Sequence, residues 1–394
     1  MRKRKFVLLL ATVIAAVFVF LLSSCGEIRI TELNERLIIE AIGIDCGESG
    51  EYTVTVQALD SESPAGDVQS GSSGELTKNY VFKGSSVGEA LNGIGVCTGK
   101  SPLYSQARVI IVGRSAAEKN IGETLDFFLR EYTTRTDIYI AVSKTSAKDI
   151  LGASFGEKTV GAKVIENVMT SGEYTGEVLS IPLYKFVNLL LDDKSGAYCP
   201  VIGTRREELS NDMRAEIVGT ALFVENRLSY ILDRDETEGL VFLTNGITNA
   251  NIPIIKNDRI FTLRLIRSKT KISPPKNGGS NFLIEIKAEC DIIEFESPNF
   301  EKLTADLIEE IRRDCTQRIK NNVEKAVRAS YGKTGCDVCR FRRRLWLADP
   351  ERFRLLEKEN GVRLDGFSVS VNTAVKIRRS GKETLAASQN NGKS

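Results

Sequence analysis

The chain has 394 residues, a formal charge of +2, 42% hydrophobic and 27% charged residues, and no histidine. That length holds two or three domains of ordinary size, and the near-neutral balance gives no reason to expect nucleic acid as a partner. Without histidine, Ser-His-Asp and Cys-His pairs are excluded and the commonest transition-metal ligand is missing, which leaves lysine and carboxylate bases as the routes to hydrolytic chemistry.

Arg2, Lys3, Arg4 and Lys5 form a basic region ahead of FVLLLATVIAAVFVFLL, Phe6 to Leu22, which is apolar except for Thr12. This is the layout of an export signal and stays outside the fold. The run falls a little short of the ~20 residues that span a bilayer; an uncleaved anchor and an ordinary secreted protein are the alternatives. Leu22-Ser23-Ser24-Cys25 favours a third outcome, because it resembles a lipobox. Small side chains let an extended segment enter a peptidase cleft, and the Cys25 thiol is the nucleophile able to take a diacylglyceryl group as a thioether. Cleavage between Ser24 and Cys25 would leave an S-diacylglyceryl, N-acylated cysteine as the new N-terminus. At about 0.8 kcal/mol per buried CH₂, one chain holds reversibly and two or three hold effectively for good.

Beyond the signal, Leu37 to Asp45 reads as a buried strand and Tyr52 to Leu59 as its alternating hairpin partner. Ser61 to Gly74 is a polar linker whose glycines fit no phosphate-binding loop. Asn79 to Lys83 is a short strand, Ser86 to Gly95 a helix, Ala107 to Gly113 a buried strand, Ile121 to Arg130 a helix with Leu125, Phe128 and Leu129 on one face, and Ile138 to Ser143 a strand. Ser146 to Leu191 is mainly helix and loop, and Asp192 to Ser210 reads as a connection. Glu216 to Val224, Arg227 to Leu232 and Leu240 to Thr244 read as strands opening a second domain. The acids of Asp235 to Gly239 lack EF-hand spacing and suit a solvated helix start better than a calcium or acid-base site. Phe261 to Lys271 and Asn281 to Ile293 are longer alternating strands.

Leu303, Leu307, Ile311, Cys315, Ile319, Val323 and Val327 recur every four residues. This stripe predicts a long helix from Pro298 to Tyr331 packed across a sheet, with Ser297 and Pro298 at its start and Gly332 at its stop. The basic cluster Arg340 to Trp346 suits the outer face of a helix with Phe341, Leu345 and Trp346 inward, or a surface for anionic headgroups. A long strand from Gly366 to Ile377 closes the domain.

Most of the cysteines, Cys46, Cys97, Cys199, Cys290 and Cys315 among them, read as small buried hydrophobes. Cys336 and Cys339 form a CxxC without the second ligand pair a zinc site needs, so a redox pair or local disulfide stays open beside simple burial. The fold class is α+β, multi-domain, with antiparallel-rich sheets packed by helices. The expected division is a signal at 1–24, an α+β domain at 25–145, a helical middle region at 146–210, a C-terminal α+β domain at 211–380 and a disordered tail at 381–394.

Several blocks together resemble the Ger(x)C family, the C-subunit lipoproteins of nutrient germinant receptors in endospore formers. These are the lipobox, Leu37 to Asp45, Ser101-Pro-Leu-Tyr with Ala107 to Gly113, Thr124 to Arg130, Gly219 to Phe223, Asp235 to Leu240 and Val369 to Arg379. Where that family tends to carry an Asp-Val-Phe-Gly-Phe-Gly-like stretch, this chain has Asp337-Val-Cys-Arg-Phe-Arg-Arg. The resemblance implies a non-catalytic subunit with no cofactor or metal, on the outer face of the spore inner membrane. Its implied partners are a polytopic A-type subunit, a transporter-like B-type subunit thought to bind the nutrient, and the bilayer through its lipid. The alternative from another class is a solute-binding lipoprotein serving a transporter, which would have two similar α/β lobes.

Overall fold

The computed structural model describes Arg4 and residues 35–59, 76–156, 159–175, 178–210, 212–244, 247, 249–276, 278–297, 303–360 and 366–379. Ser24, Cys25, the linker Ser61 to Gly74 and the tail from 381 lie outside the described residues.

The hairpin forms as its alternation predicts: β1 (Arg36–Cys46) and β2 (Tyr52–Leu59) are antiparallel, with Cys46 opposite Tyr52. β3 (Thr77–Gly84) adds an edge beside β2. Helix α1 (Val87–Thr98) starts at Ser86, whose hydroxyl accepts from the Glu89 amide, and stops at left-handed Gly99. The short β4 (Ser101–Leu103) then lies parallel to the start of β1. β5 (Val109–Val112) and β6 (Tyr139–Ser143) flank helix α2 (Arg114–Arg130), where Ile121, Leu125 and Phe128 face the core while Leu129 turns out to solvent.

Helices α3 (Ala147–Leu151), α4 (Gly161–Thr175) and α5 (Leu183–Leu191) lead to β7 (Ala197–Arg206), then β8 (Met213–Val224) and β9 (Arg227–Leu232). All join one nine-stranded sheet in the order β3-β2-β1-β5-β6-β7-β8-β9, with β4 beside β1. Its central strands β1, β5, β6 and β7 run parallel. They are continuous apolar runs because helices cover both faces, α1, α2 and α5 on one side and α3 and α4 on the other.

Two expectations are corrected here. Asp192 to Ser210 is more than a connection, since β7 occupies most of it. Glu216 to Val224 and Arg227 to Leu232 extend the first sheet, because β8 pairs with β7 from Ala197↔Phe223 to Arg206↔Met213. The polar run that resembles a linker is the turn of that hairpin. Sequential strands pair in space far more often than they part.

The second sheet has four strands in the order β10-β11-β12-β13: β10 (Asn251–Lys256), β11 (Arg259–Ser273), β12 (Asn281–Glu296) and β13 (Ser368–Arg379). Leu240 to Thr244, read as a strand, belongs instead to helix α6 (Arg234–Leu243). The long helix is α7 (Ala305–Val327), with Ile311, Cys315, Ile319 and Val323 buried. It starts at Thr304, whose hydroxyl accepts from the Leu307 amide, rather than at Ser297; Pro298 lies outside the described residues. It runs into a π-helical turn, Arg328–Thr334, and stops at left-handed Gly335 instead of Gly332. Two short helices, α8 (Phe341–Ala348) and α9 (Pro350–Asn360), then complete the crossover to β13, which lies parallel to β12.

Helix α6 crosses α7 at Gly239, where an added Cβ would lie 2.0 Å from the Asn322 carbonyl oxygen. Gly95 in α1 has nothing within 4 Å of such a Cβ. Gly239→Ala should therefore cost about 1–3 kcal/mol by overpacking, whereas Gly95→Ala should gain about 0.5–1 kcal/mol from helix propensity. Urea denaturation of the two variants checks this; equal effects would refute the contact.

Candidate functional site: the joint between the sheets

The chain's one CxxC and its basic cluster fall together, where the second sheet's crossover meets the first sheet. Gly335, at φ 75°, turns the chain so that Cys336 to Cys339 tuck against the start of β7 and the end of β8. The Gly196 amide donates to the Asp337 carbonyl at 2.9 Å, and the Cys336 thiol faces the Phe223 carbonyl at 3.3 Å. A Cβ on Gly196 would sit 2.4 Å from the Cys336 sulfur, so that position has room only for glycine.

Cys336 and Cys339 are free, buried thiols. Burial pushes Cys336 up to about 12 and Cys339 upward as well. Reactive cysteines have the opposite shift, because the thiolate is the nucleophile. The shifts at Cys336 and Cys339 therefore run against thiolate formation. Cys46, Cys199, Cys290 and Cys315 are likewise buried, while Cys97 is exposed.

Between the cysteines, Asp337 is buried and receives the amides of Phe341 and Arg342, each at 2.8 Å. It caps α8, a role the sequence reading missed; an aspartate four residues before the first helical residue was the available signal. Burial raises its carboxyl to about 6, against the lowering pull of those two hydrogen bonds and of Arg342 and Arg344. The arginines of the basic cluster act as rivets. Arg342, itself buried, donates to the Asp193 carbonyl, and Arg343 meets Asp192 at 3.2 Å, both in the connection before β7. Arg344 donates to the Ile272 carbonyl of β11 at 3.2 Å. Phe341 and Leu345 point inward as expected, the Phe341 ring tilted against Phe282 with centroids 4.6 Å apart, but Trp346 is 40% exposed.

Arg340 has φ 54°, in the left-handed region that favours glycine.

The other acids of interest are structural too. Asp233 and Glu236 form a capping box, Asp235 pairs with Lys325 at 2.7 Å, and Glu238 meets Arg318 at 3.3 Å, locking α6 to α7. Asp45 accepts from the amides of Ala147 and Lys148 at 2.8 and 3.0 Å, capping α3. Its neighbour Gly113 lies so near that a Cβ there would be 1.9 Å from the Asp45 carboxylate. Glu40 is buried against Arg108 at 2.6 Å, and Arg108 also binds Glu166 at 2.8 Å. Among the described residues no group of His, Cys, Asp or Glu is arranged for a metal ion. Two shallow clefts, about 360 Å³ beside Ser86, Phe127 and Arg130 and about 290 Å³ beside Asn79 and Lys148, hold no nucleophile–base pair.

Two unlike sheets are thus joined by buried contacts among the described residues. Residues 29–204 match the family described as "Spore germination protein N-terminal domain", and residues 218–381 match "Spore germination B3/ GerAC like, C-terminal". The chain belongs to this Ger(x)C family of spore germination proteins. It is 22% identical to spore germination protein KC of Bacillus subtilis (strain 168), over 94% of this chain and 96% of that protein. It is also 22% identical to spore germination protein B3 of the same organism, over 80% and 84%. The crystal structure of the GerBC protein shares the fold, with a TM-score of 0.52 at 15% identity, covering 85% of this chain and 96% of that one.

Two measurements probe the joint. The folded Asp337 carboxyl titrates at about 6 and an unfolded aspartate at about 3.9. The folded state therefore holds the proton more tightly, and stability present below pH 4 is lost as pH rises through 6. Relative to Asp337→Asn, the native chain should gain about 2–3 kcal/mol between pH 7 and pH 4 by urea denaturation; a constant difference would contradict the burial. Arg340→Gly should raise stability by about 1–2 kcal/mol through relief of the left-handed backbone, and a loss would show that the arginine side chain matters more.

Proposed function

We propose that the chain is a lipid-tethered, non-catalytic accessory subunit of a nutrient germinant receptor. It is held by Cys25 on the outer face of the spore inner membrane, beside a polytopic A-type and a transporter-like B-type subunit. The observation that carries this reading is the pair of spore germination matches, which together span nearly all of the chain beyond the signal. The lipobox at Leu22 to Cys25 supports the tether, and the engagement of Asp45, Asp233, Glu236 and Asp337 in helix caps supports a structural role for these acids. The solute-binding alternative asks for two similar lobes, whereas the sheets differ in strand number, direction and helix cover.

Mass spectrometry of the mature protein should find an N-terminal peptide beginning at diacylglyceryl-modified, N-acylated Cys25. Cys25→Ala should mislocalise the protein and weaken nutrient-triggered germination. An intact Met1 peptide together with wild-type germination in the variant would overturn the tether. Tight calorimetric binding of a germinant by this chain alone would favour the alternative.

A further inference from the structure

The parallel strands β1, β5, β6 and β7 all begin at one end of the first sheet, and the described chain arrives there at Arg36. Large apolar side chains are exposed at the same end. Val96, 89% exposed, is in the last turn of α1, just before β4 pairs with Arg36. Tyr132, 93% exposed, lies in the connection into β6. Helix α5 lies across this end: the Leu183 amide donates to the Ile138 carbonyl, ahead of β6, and the helix leads on to the start of β7. It exposes Tyr184 and, 79% exposed, Leu191.

Helix α8 adds to the rim through its arginines. Arg343 binds Asp192, next to Leu191, and Trp346 and Leu347 follow Arg343 by three and four residues, on the same helix face. Three of the acids here are paired, Asp137 with Arg135, Asp192 with Arg343 and Asp193 with Lys194, while Glu131, beside Tyr132, accepts from the Thr133 amide and hydroxyl. Exposed Tyr and Trp beside Lys and Arg are the residue types enriched where protein meets the headgroup layer.

We infer that this rim rests on the bilayer surface, with Trp346, Leu347 and Leu191 in the headgroup layer of an anionic leaflet. The inference deepens the tether reading and rests on it. Ten residues lie between Cys25 and Arg36, a reach of at most about 35–40 Å. β1 and β7 are three strand spacings apart, about 14 Å, so the tether is long enough to let the whole rim meet the membrane.

Trp346 is the only tryptophan in the chain, so its emission reports this surface directly. The test uses the full mature protein, lipidated at Cys25, in phosphatidylcholine vesicles with and without phosphatidylglycerol, carrying acyl chains brominated near the headgroup. The expected result is flotation with the vesicles, a blue shift and loss of most Trp346 emission to bromine, stronger with phosphatidylglycerol. Leu191→Glu with Leu347→Glu, both at exposed positions, should restore the emission without releasing the protein. Flotation with emission quenched only by aqueous acrylamide would overturn the docking and leave the tether standing. Failure to float would overturn both. Shielding of Trp346 only when the polytopic subunits are reconstituted alongside would assign the rim to a protein partner and overturn the lipid inference.

Discussion

Asp337 occupies a site where a carboxylate is costly, and the two amides that converge on it are what hold the joint in shape. Burial alone would favour expelling the charge or keeping it protonated. The Phe341 and Arg342 amides offset part of that cost, so α8 has a fixed origin and its arginines a fixed direction. Arg342 then reaches the connection before β7 while Arg344 reaches β11, and one short helix touches both sheets. The glycine at 196 lets the chains approach closely enough for the Cys336 sulfur to fill the remaining space.

This arrangement explains why the two family segments are not separate bodies. The N-terminal match ends at residue 204 and the C-terminal match begins at 218, within two strands of one hairpin. β8 and β9 belong by sequence to the second segment and by hydrogen bonding to the first sheet. Leu222 and Leu232 lie in the core that also contains Phe282 and Ile319, so the hydrophobic interior crosses the boundary. A force on one sheet is transmitted to the other through packed side chains, since interiors at crystal-like density have little room to yield.

Local periodicity made much of this legible. The hairpin of β1 and β2, the alternating β11 and β12 and the four-residue stripe of α7 are patterns that repeat within a few residues. What periodicity cannot carry is strand partnership, and there the reading failed: β7 looked like a linker because polar residues of its turn follow it, and β8 was assigned to the wrong sheet. The start of α7 was misplaced because Ser297-Pro298 and Thr304 are both chemically suitable caps, and only tertiary packing chooses between them. The CxxC was legible as a motif but not as packing, because burial depends on residues 196 and 223, far away in sequence. Arg340 shows the same limit from the other side, adopting a glycine's backbone because the Asp337 cap and the buried Phe341 fix the residues around it.

The distribution of acids completes the functional argument. Asp45, Asp233 and Asp337 each take amide hydrogens at a helix start, and Glu40 is held by an arginine. Each of these carboxylates fixes where a helix begins or where two elements meet. Val96, Tyr132, Tyr184 and Leu191 are exposed at the strand-start end of the first sheet, where the described chain enters β1 at Arg36, while Leu209 and Ile255 are exposed elsewhere. The core that links the two sheets keeps that surface part of one packed body.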